Sequence, residues 1–189
     1  CSTTLFIKNP DKKEFVSYHQ DAKYIGLEPH NWVTAWIALT DSNERNGCMK
    51  MWPKSHLEIK EHNQKFNEGN LLTRGQTVEN IPKEKVKSIE LKAGQMSLHH
   101  PRIVHGSGIN KSRGRRIGFV VQSYIATNVK QTLGRNSVQI ARGKDHYNYH
   151  EVIHRPKVLM DNFDLNLRKK ENKFLNEIFY KGAEKKGFY

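Results

Sequence analysis

With 36% hydrophobic and 10% aromatic residues in a chain of 189, there is enough apolar material for one buried core and too much for a disordered segment. The formal net charge of +13 draws anions to the surface, but no helix-turn-helix, zinc-finger or RNP-like pattern goes with it, so specific nucleic-acid binding is not expected. No apolar run approaches the roughly 20 residues that span a bilayer, no leader pattern is visible, and Cys1 and Cys48 form neither a disulfide framework nor a C-x-x-C pair, which reads as two reduced thiols in a cytoplasmic protein.

In chain order, residues 3–7 (TTLFI) are β-prone and are closed by the turn chemistry of Asn9-Pro10-Asp11-Lys12. Residues 14–21 (EFVSYHQD) read as a second strand, and the two-residue period places Phe15, Ser17, His19 and Asp21 on one face. Residues 32–39 (WVTAWIAL) predict a buried strand. A polar turn at 41–47 leads into a short strand at 48–52, stopped by Pro53. Residues 55–87 are long, polar and weakly patterned, as active-site lids often are. Residues 86–91 alternate like a strand; 95–99 and 102–105 continue as strands on either side of Pro101. A Gly/Ser/Asn loop over 106–114 precedes a strong β run at 116–126. Phe163, Leu167, Phe174, Leu175 and Ile178 recur at near-helical spacing, predicting an amphipathic helix over 162–181 packed outside a sheet. Short strands between turn signals, with one terminal helix, indicate a mainly β sandwich or jelly roll. The expected organisation is a single domain with a β-core over about 1–127 and an extension over about 128–189.

His19-Gln20-Asp21 carries the strongest local chemistry. An imidazole and a carboxylate two residues apart on a strand point the same way and can reach one metal ion. One further ligand would complete a face of two histidines and one carboxylate, leaving the metal's other side open. His99, His100 and His105 lie near the start of the Gly-rich loop, and Gly106-Ser107-Gly108 would let backbone approach a bound ligand. Arg116, eleven residues after His105, could grip a carboxylate through two parallel hydrogen bonds.

Four motifs occur in order: HQD at 19–21, TAWIAL at 34–39, NGCMKMWPKSH at 46–56 and HPRIVHGSGINKSRGRR at 100–116. Together they resemble the phytanoyl-CoA dioxygenase family of Fe(II)/2-oxoglutarate oxygenases, over about residues 14–126. The resemblance implies a double-stranded β-helix (jelly roll, cupin-like) with iron near its open end. It implies His19, Asp21 and His105 as ligands and catalytic residues. Arg116 would hold the far carboxylate of 2-oxoglutarate, with Gln20, Trp36 and Ser107 along the cosubstrate pocket; His100 is not a ligand. The implied activity is hydroxylation by O₂ of a small metabolite, with the positive charge favouring an anionic one. Halogenating relatives have a small residue where Asp21 stands, so its carboxylate implies hydroxylation. Two departures stand out. Lys54 replaces the usual Gly, so that turn is expected to differ, and Gln95 replaces an acidic residue. The family's N-terminal helical region has no counterpart in a chain that begins on Cys1 within a strand.

Competing readings are a cupin-like metalloenzyme that does not use 2-oxoglutarate, which would not need Arg116, and a non-catalytic basic module binding acidic partners. His56 and His62 read as surface or supporting histidines. His146, His150 and His154 repeat every fourth residue, but Tyr147, Asn148 and Tyr149 between them argue for loop or strand over a helical metal face. Trp32, Trp36 and Trp52 read as core aromatics, only Trp36 having a motif-based tie to the site. Lys111, Arg113 and Arg115 read as solvent-facing loop charges.

Overall fold

Alternation of buried and exposed side chains builds the core. The structure is a computed structural model that describes residues 2–10, 12–72 and 74–183; expectations touching Cys1, Asp11 and the Lys185-Lys186 pair lie outside these. Eight strands form its frame: β1 (Ser2–Lys8), β2 (Val16–His19), β3 (Trp32–Ala38), β4 (Met49–Trp52), β5 (Lys87–Ile89), β6 (Met96–His99), β7 (Val104–Ser107) and β8 (Arg116–Ile125). Along β3, Trp32, Thr34, Trp36 and Ala38 turn inward and the residues between them are half-buried, as the pleat requires. β8 follows the same rule at Arg116, Gly118 and Val120, until a bulge at Ser123 (φ 65°) shifts its register against β3.

The strands pair antiparallel into two four-stranded sheets, in the orders β1-β8-β3-β6 and β2-β7-β4-β5. The chain changes sheet at every connection but β4 to β5, which is the interleaving of a double-stranded β-helix. Trp36, Ala38 and Val120 from one sheet pack against Met49 from the other, with Phe6, Met51, Ile89 and Leu91 around them. A second cluster of Ile25, Leu27, Trp32 and Val129 secures the short helix α1 (Ala22–Ile25), and the Trp32 indole N–H donates to Leu27 O at 3.2 Å.

Several expectations shift. β2 ends at His19, two residues early, because Asp21 takes helical angles (φ −56°, ψ −40°) and caps α1. Residues 55–87 are no free lid. They contain a small hairpin, Asn63–Gln64 with Gln76–Thr77, whose exit is pinned to β2 by Val78 N–H donating to Tyr18 O at 2.7 Å. Lys54 keeps the left-handed conformation that glycine holds most easily (φ 66°, ψ −2°), so the turn persists in spite of the replacement. The terminal helix α2 (Asn162–Phe179) is capped by Asp161, whose carboxylate accepts from Phe163 N–H at 2.7 Å. It does not back onto the outside of a sheet: Leu165, Leu175 and Phe179 roof the central cavity. Among the described residues, no helix is long and apolar enough to cross a membrane.

Candidate metal centre

His19 on β2 and His105 on β7 are directly opposed across the ladder. Each ring is fixed by its own backbone. His19 Nδ1 lies 2.9 Å from Ser17 O and His105 Nδ1 lies 3.1 Å from Ile103 O, so each Nδ1 donates and each Nε2 keeps its lone pair. The two Nε2 atoms face one oxygen of Asp21, at 3.4 Å from His19 and 4.0 Å from His105. All three donors lie within 4.8 Å of one another, and all three residues are buried. The other Asp21 oxygen accepts a hydrogen bond from Thr34 Oγ1 at 3.1 Å.

Burial alone would push the Asp21 carboxyl up, but the imidazoles of His19, His105 and His99 around it hold it well below the usual carboxylate range. Burial, reinforced by the neighbouring His19, pushes His105 down to about 3. A buried anion facing two imidazole nitrogens that keep their lone pairs lacks a countercharge, and a divalent cation would provide one. Two imidazole nitrogens and one carboxylate oxygen on one side of a pocket fit the facial donor set of non-haem Fe(II).

Two local devices hold this turn. A Cβ on Gly106 would lie 2.9 Å from Val16 O and 3.0 Å from Tyr18 N. Gly106 therefore lets β2 close against β7, a strand approach that the sequence did not suggest, and it also borders the cavity. Gln20 is also corrected: its side chain turns away from the cavity because the strand has already ended. Fully buried, its amide donates to Glu58 O (2.9 Å), is directed also at Ser55 O and Arg102 O, and accepts from Lys60 N–H (2.7 Å). Its backbone N–H donates to His62 Nε2 at 2.9 Å, while His62 Nδ1 donates to Lys60 O at 2.8 Å. Burial pushes His62 down to about 4, which suits the acceptor role of Nε2. His62 is thus a support of the ligand turn, whereas His56 stacks near His100 with ring centroids 5.6 Å apart.

The facing sheet supplies cations. Arg116 is buried, lies 5.2 Å over the Trp36 ring and donates to Gly47 O at 3.2 Å, while its Nε has no partner among the described residues. Burial pushes its guanidinium down to about 10. Opposite it in register sits Lys8, fully buried, whose Nζ donates to Ser107 Oγ at 2.6 Å and to Gly47 O and Gly108 O. Burial first, then the charge of Arg116, pushes Lys8 down to about 7. Like charges opposed on adjacent strands repel, and neither forms an ion pair among the described residues. Such a pair suits an incoming anion. Ser107 and Trp36 line the same cavity as Arg116, as the sequence led one to expect; Lys8, standing behind Ser107, did not figure there.

The cavity has a volume of about 1000 Å³. Its walls are largely apolar, through Phe6, Tyr24, Leu72 and Val120, and α2 adds Asp164, Arg168 and Glu171 to the lining. Beyond Arg116 and Lys8, the charges that α2 brings to the lining are therefore of both signs. His154 reaches the cavity, but His150 is engaged with Asn136 Oδ1 and Val129 O, both at 2.7 Å. Residues 146–154 contain the short strand Glu151–Val152 and no helix, which removes the basis for a second, helical metal face. Lys111, Arg113 and Arg115 are exposed.

A family model described as Phytanoyl-CoA dioxygenase (PhyH) matches residues 1–118. The peroxisomal phytanoyl-CoA dioxygenase of Bos taurus is 30% identical over 120 residues, covering 60% of this chain and 36% of that protein. A probable alpha-ketoglutarate-dependent hypophosphite dioxygenase of Stutzerimonas stutzeri is 29% identical over 122 residues, covering 63% of this chain and 42% of its own. Among solved structures, the apo form of the non-heme monooxygenase ThoJ superposes with a TM-score of 0.82 at 30% identity, covering 94% of this chain and 65% of that one. Its nickel complex superposes at 0.74 with 28% identity, covering 92% and 62%. The chain spans well under half the length of both curated relatives.

Proposed function

Because the chain belongs to the phytanoyl-CoA dioxygenase family, we propose that it forms the catalytic core of an Fe(II)- and 2-oxoglutarate-dependent dioxygenase that hydroxylates an organic substrate. The observation that carries this reading is the convergence of His19, Asp21 and His105 beside a buried arginine with no acidic partner among the described residues. The bovine relative is a dioxygenase, and the Stutzerimonas protein is named for dependence on alpha-ketoglutarate.

Fe(II) held there would couple O₂ to the oxidation of 2-oxoglutarate to succinate and CO₂, delivering the second oxygen atom to a C–H bond. The residues themselves do simpler things. His19 and His105 present lone pairs from rings locked by Ser17 O and Ile103 O. Asp21 supplies the negative charge. Arg116 orients the far carboxylate of the 2-oxo acid, with Trp36 fixing the guanidinium plane and Lys8 adding positive charge through Ser107. The apolar walls exclude water around the reacting carbon. They favour a substrate that is largely apolar where it meets the metal, in contrast to the anionic one that net charge suggested. A cytoplasmic setting belongs to the same proposal, supported by the buried free thiol of Cys48.

The test is an anaerobic titration of apoprotein with Fe(II) and then 2-oxoglutarate, followed by the visible charge-transfer band of a chelated 2-oxo acid. The band is expected in the wild type and absent in His105→Ala. Iron uptake without the band would leave a metalloprotein that does not use 2-oxoglutarate. No uptake at all would leave a basic binding module.

A further inference from the structure

A fourth histidine stands beside the triad with no role so far. His99 ends β6, and the pleat that exposes Met96 and Leu98 turns His99 inward. It is directly opposed to Thr34 on β3. Both residues therefore reach Asp21 from the facing sheet, whereas His19 and His105 reach it from its own side of the barrel. Thr34 Oγ1 donates to Asp21 Oδ2, and His99 Nε2 lies 3.9 Å from that same oxygen. The His99 ring is 4.8 Å from the His105 ring, tilted by 52°, and borders the cavity.

His99 is only 5% exposed, yet neither of its ring nitrogens has a hydrogen-bond partner among the described residues. Buried polar groups in this condition call for a partner, since an apolar ring of the same shape would otherwise pack there at less expense. An imidazole carries at least one N–H in either protonation state, so His99 has a donor to place. Asp21 Oδ2, 3.9 Å from His99 Nε2, is the acceptor that the ion-pair geometry offers that N–H, at a distance longer than a hydrogen bond.

We propose that His99 is a positioning residue of the metal centre: with Thr34 it holds the outer oxygen of Asp21, so that Asp21 offers the metal one oxygen only. The role rests on the metal-centre reading above. A carboxylate that swung round to bind through both oxygens would fill a position needed by a bidentate 2-oxo acid or by O₂. Two donors on Oδ2 prevent that swing and leave Oδ1 facing the imidazoles. His99 does not act as a fourth ligand: it stands outside the set of donors that converge within 4.8 Å. A fourth protein ligand would also leave no position for O₂ once a bidentate 2-oxo acid is bound.

The experiment compares the wild type with His99→Phe and His99→Gln. Cobalt(II) affinity and its visible ligand-field spectrum are measured first, then the number of coordinated imidazoles by pulsed electron paramagnetic resonance of the copper(II)-loaded protein. His99→Phe is expected to weaken cobalt(II) binding about 10- to 100-fold, the range typical of lost outer hydrogen bonds to metal ligands. It should alter the ligand-field spectrum, with apoprotein melting unchanged or raised. His99→Gln, which restores an N–H donor, is expected to recover most of the affinity. The imidazole count should be two in all three proteins. A His99→Phe protein with wild-type affinity and spectrum overturns the proposal. So does a count of three in the wild type, which would make His99 a ligand, and so does a His99→Gln protein as weak as His99→Phe, which would reduce His99 to packing. Wild-type protein that takes up no cobalt(II) overturns the metal centre itself, an outcome distinct from a loss confined to the His99 variants.

Discussion

The two sheets of the barrel are finished to different degrees. In the β2-β7-β4-β5 sheet, the groups that hold the His19–Asp21 turn and the His105 ring are partnered. His19 and His105 are tied to carbonyls, Gln20 is saturated by loop backbone, and His62 is engaged at both nitrogens. In the β1-β8-β3-β6 sheet, Arg116 Nε and both nitrogens of His99 are buried without partners among the described residues, and Lys8 is opposed to Arg116. The first sheet is organised before anything binds. The second carries unspent hydrogen-bonding capacity and positive charge, and an anionic cosubstrate is what would use both. Metal binding and cosubstrate binding should therefore respond to different residues.

The largest effect that would break this division is on metal binding. Asp21→Ala removes the only carboxylate of the donor set, and cobalt(II) affinity is expected to fall by more than ~100-fold, beyond the range of supporting residues. Affinity surviving that change would place the metal elsewhere. Next, Arg116→Gln is expected to weaken 2-oxoglutarate by about 2–5 kcal/mol, the usual loss when one partner of a buried charge pair is removed, while cobalt(II) affinity stays within about twofold. An equal loss of both would merge the two sheets into one unit. A smaller effect comes from Gly118→Ala, because a Cβ there would sit 2.0 Å from the Trp36 ring. Overpacking of this kind costs about 1–3 kcal/mol. Calorimetry should show a lower melting temperature, and 2-oxoglutarate titration a weaker fit, with metal uptake retained.

The smallest effect sharpens the picture of the ligand sheet. His62 is pushed from 6.5 down to about 4 in the fold, so the unfolded chain binds a proton that the folded chain refuses. Apoprotein stability should therefore be complete above pH 6.5 and decline as pH falls towards about 4. His62→Gln is expected to flatten that decline in denaturant titrations across the same pH range. A slope unchanged in the variant would assign the loss to other groups, His105 first among them.

How much of this could be read from the residues alone follows from what each signal depends on. The grouping of His19, Asp21 and His105 was legible because they sit in short motifs that occur in order along the chain. Strand alternation also places Trp36 inward without a structure. The direction of Gln20 was not legible, since it depends on β2 stopping at His19, two residues before the expected strand end, where Asp21 caps the next helix without a side-chain cap bond. Lys8 was hidden for a different reason. A lysine at a strand end ordinarily faces water, and its burial depends on acceptors at Gly47, Ser107 and Gly108, remote in sequence. That Gly106 makes room for a neighbouring strand was also hidden, because its neighbours Val16 and Tyr18 are remote in sequence. The roofing position of α2 depends on long-range packing that no local period encodes.

The clasp around Gln20 also matters to anyone who would engineer this barrel. Residues 55–62 contact the His19–Asp21 turn through Ser55 O, Glu58 O, Lys60 and His62, so this stretch of loop and that turn form one mechanical part. A loop grafted from another protein to change substrate choice would need to bring the same set of carbonyls and N–H groups with it. Otherwise the graft would loosen His19 and Asp21, and a change aimed at selectivity would show up as lost metal.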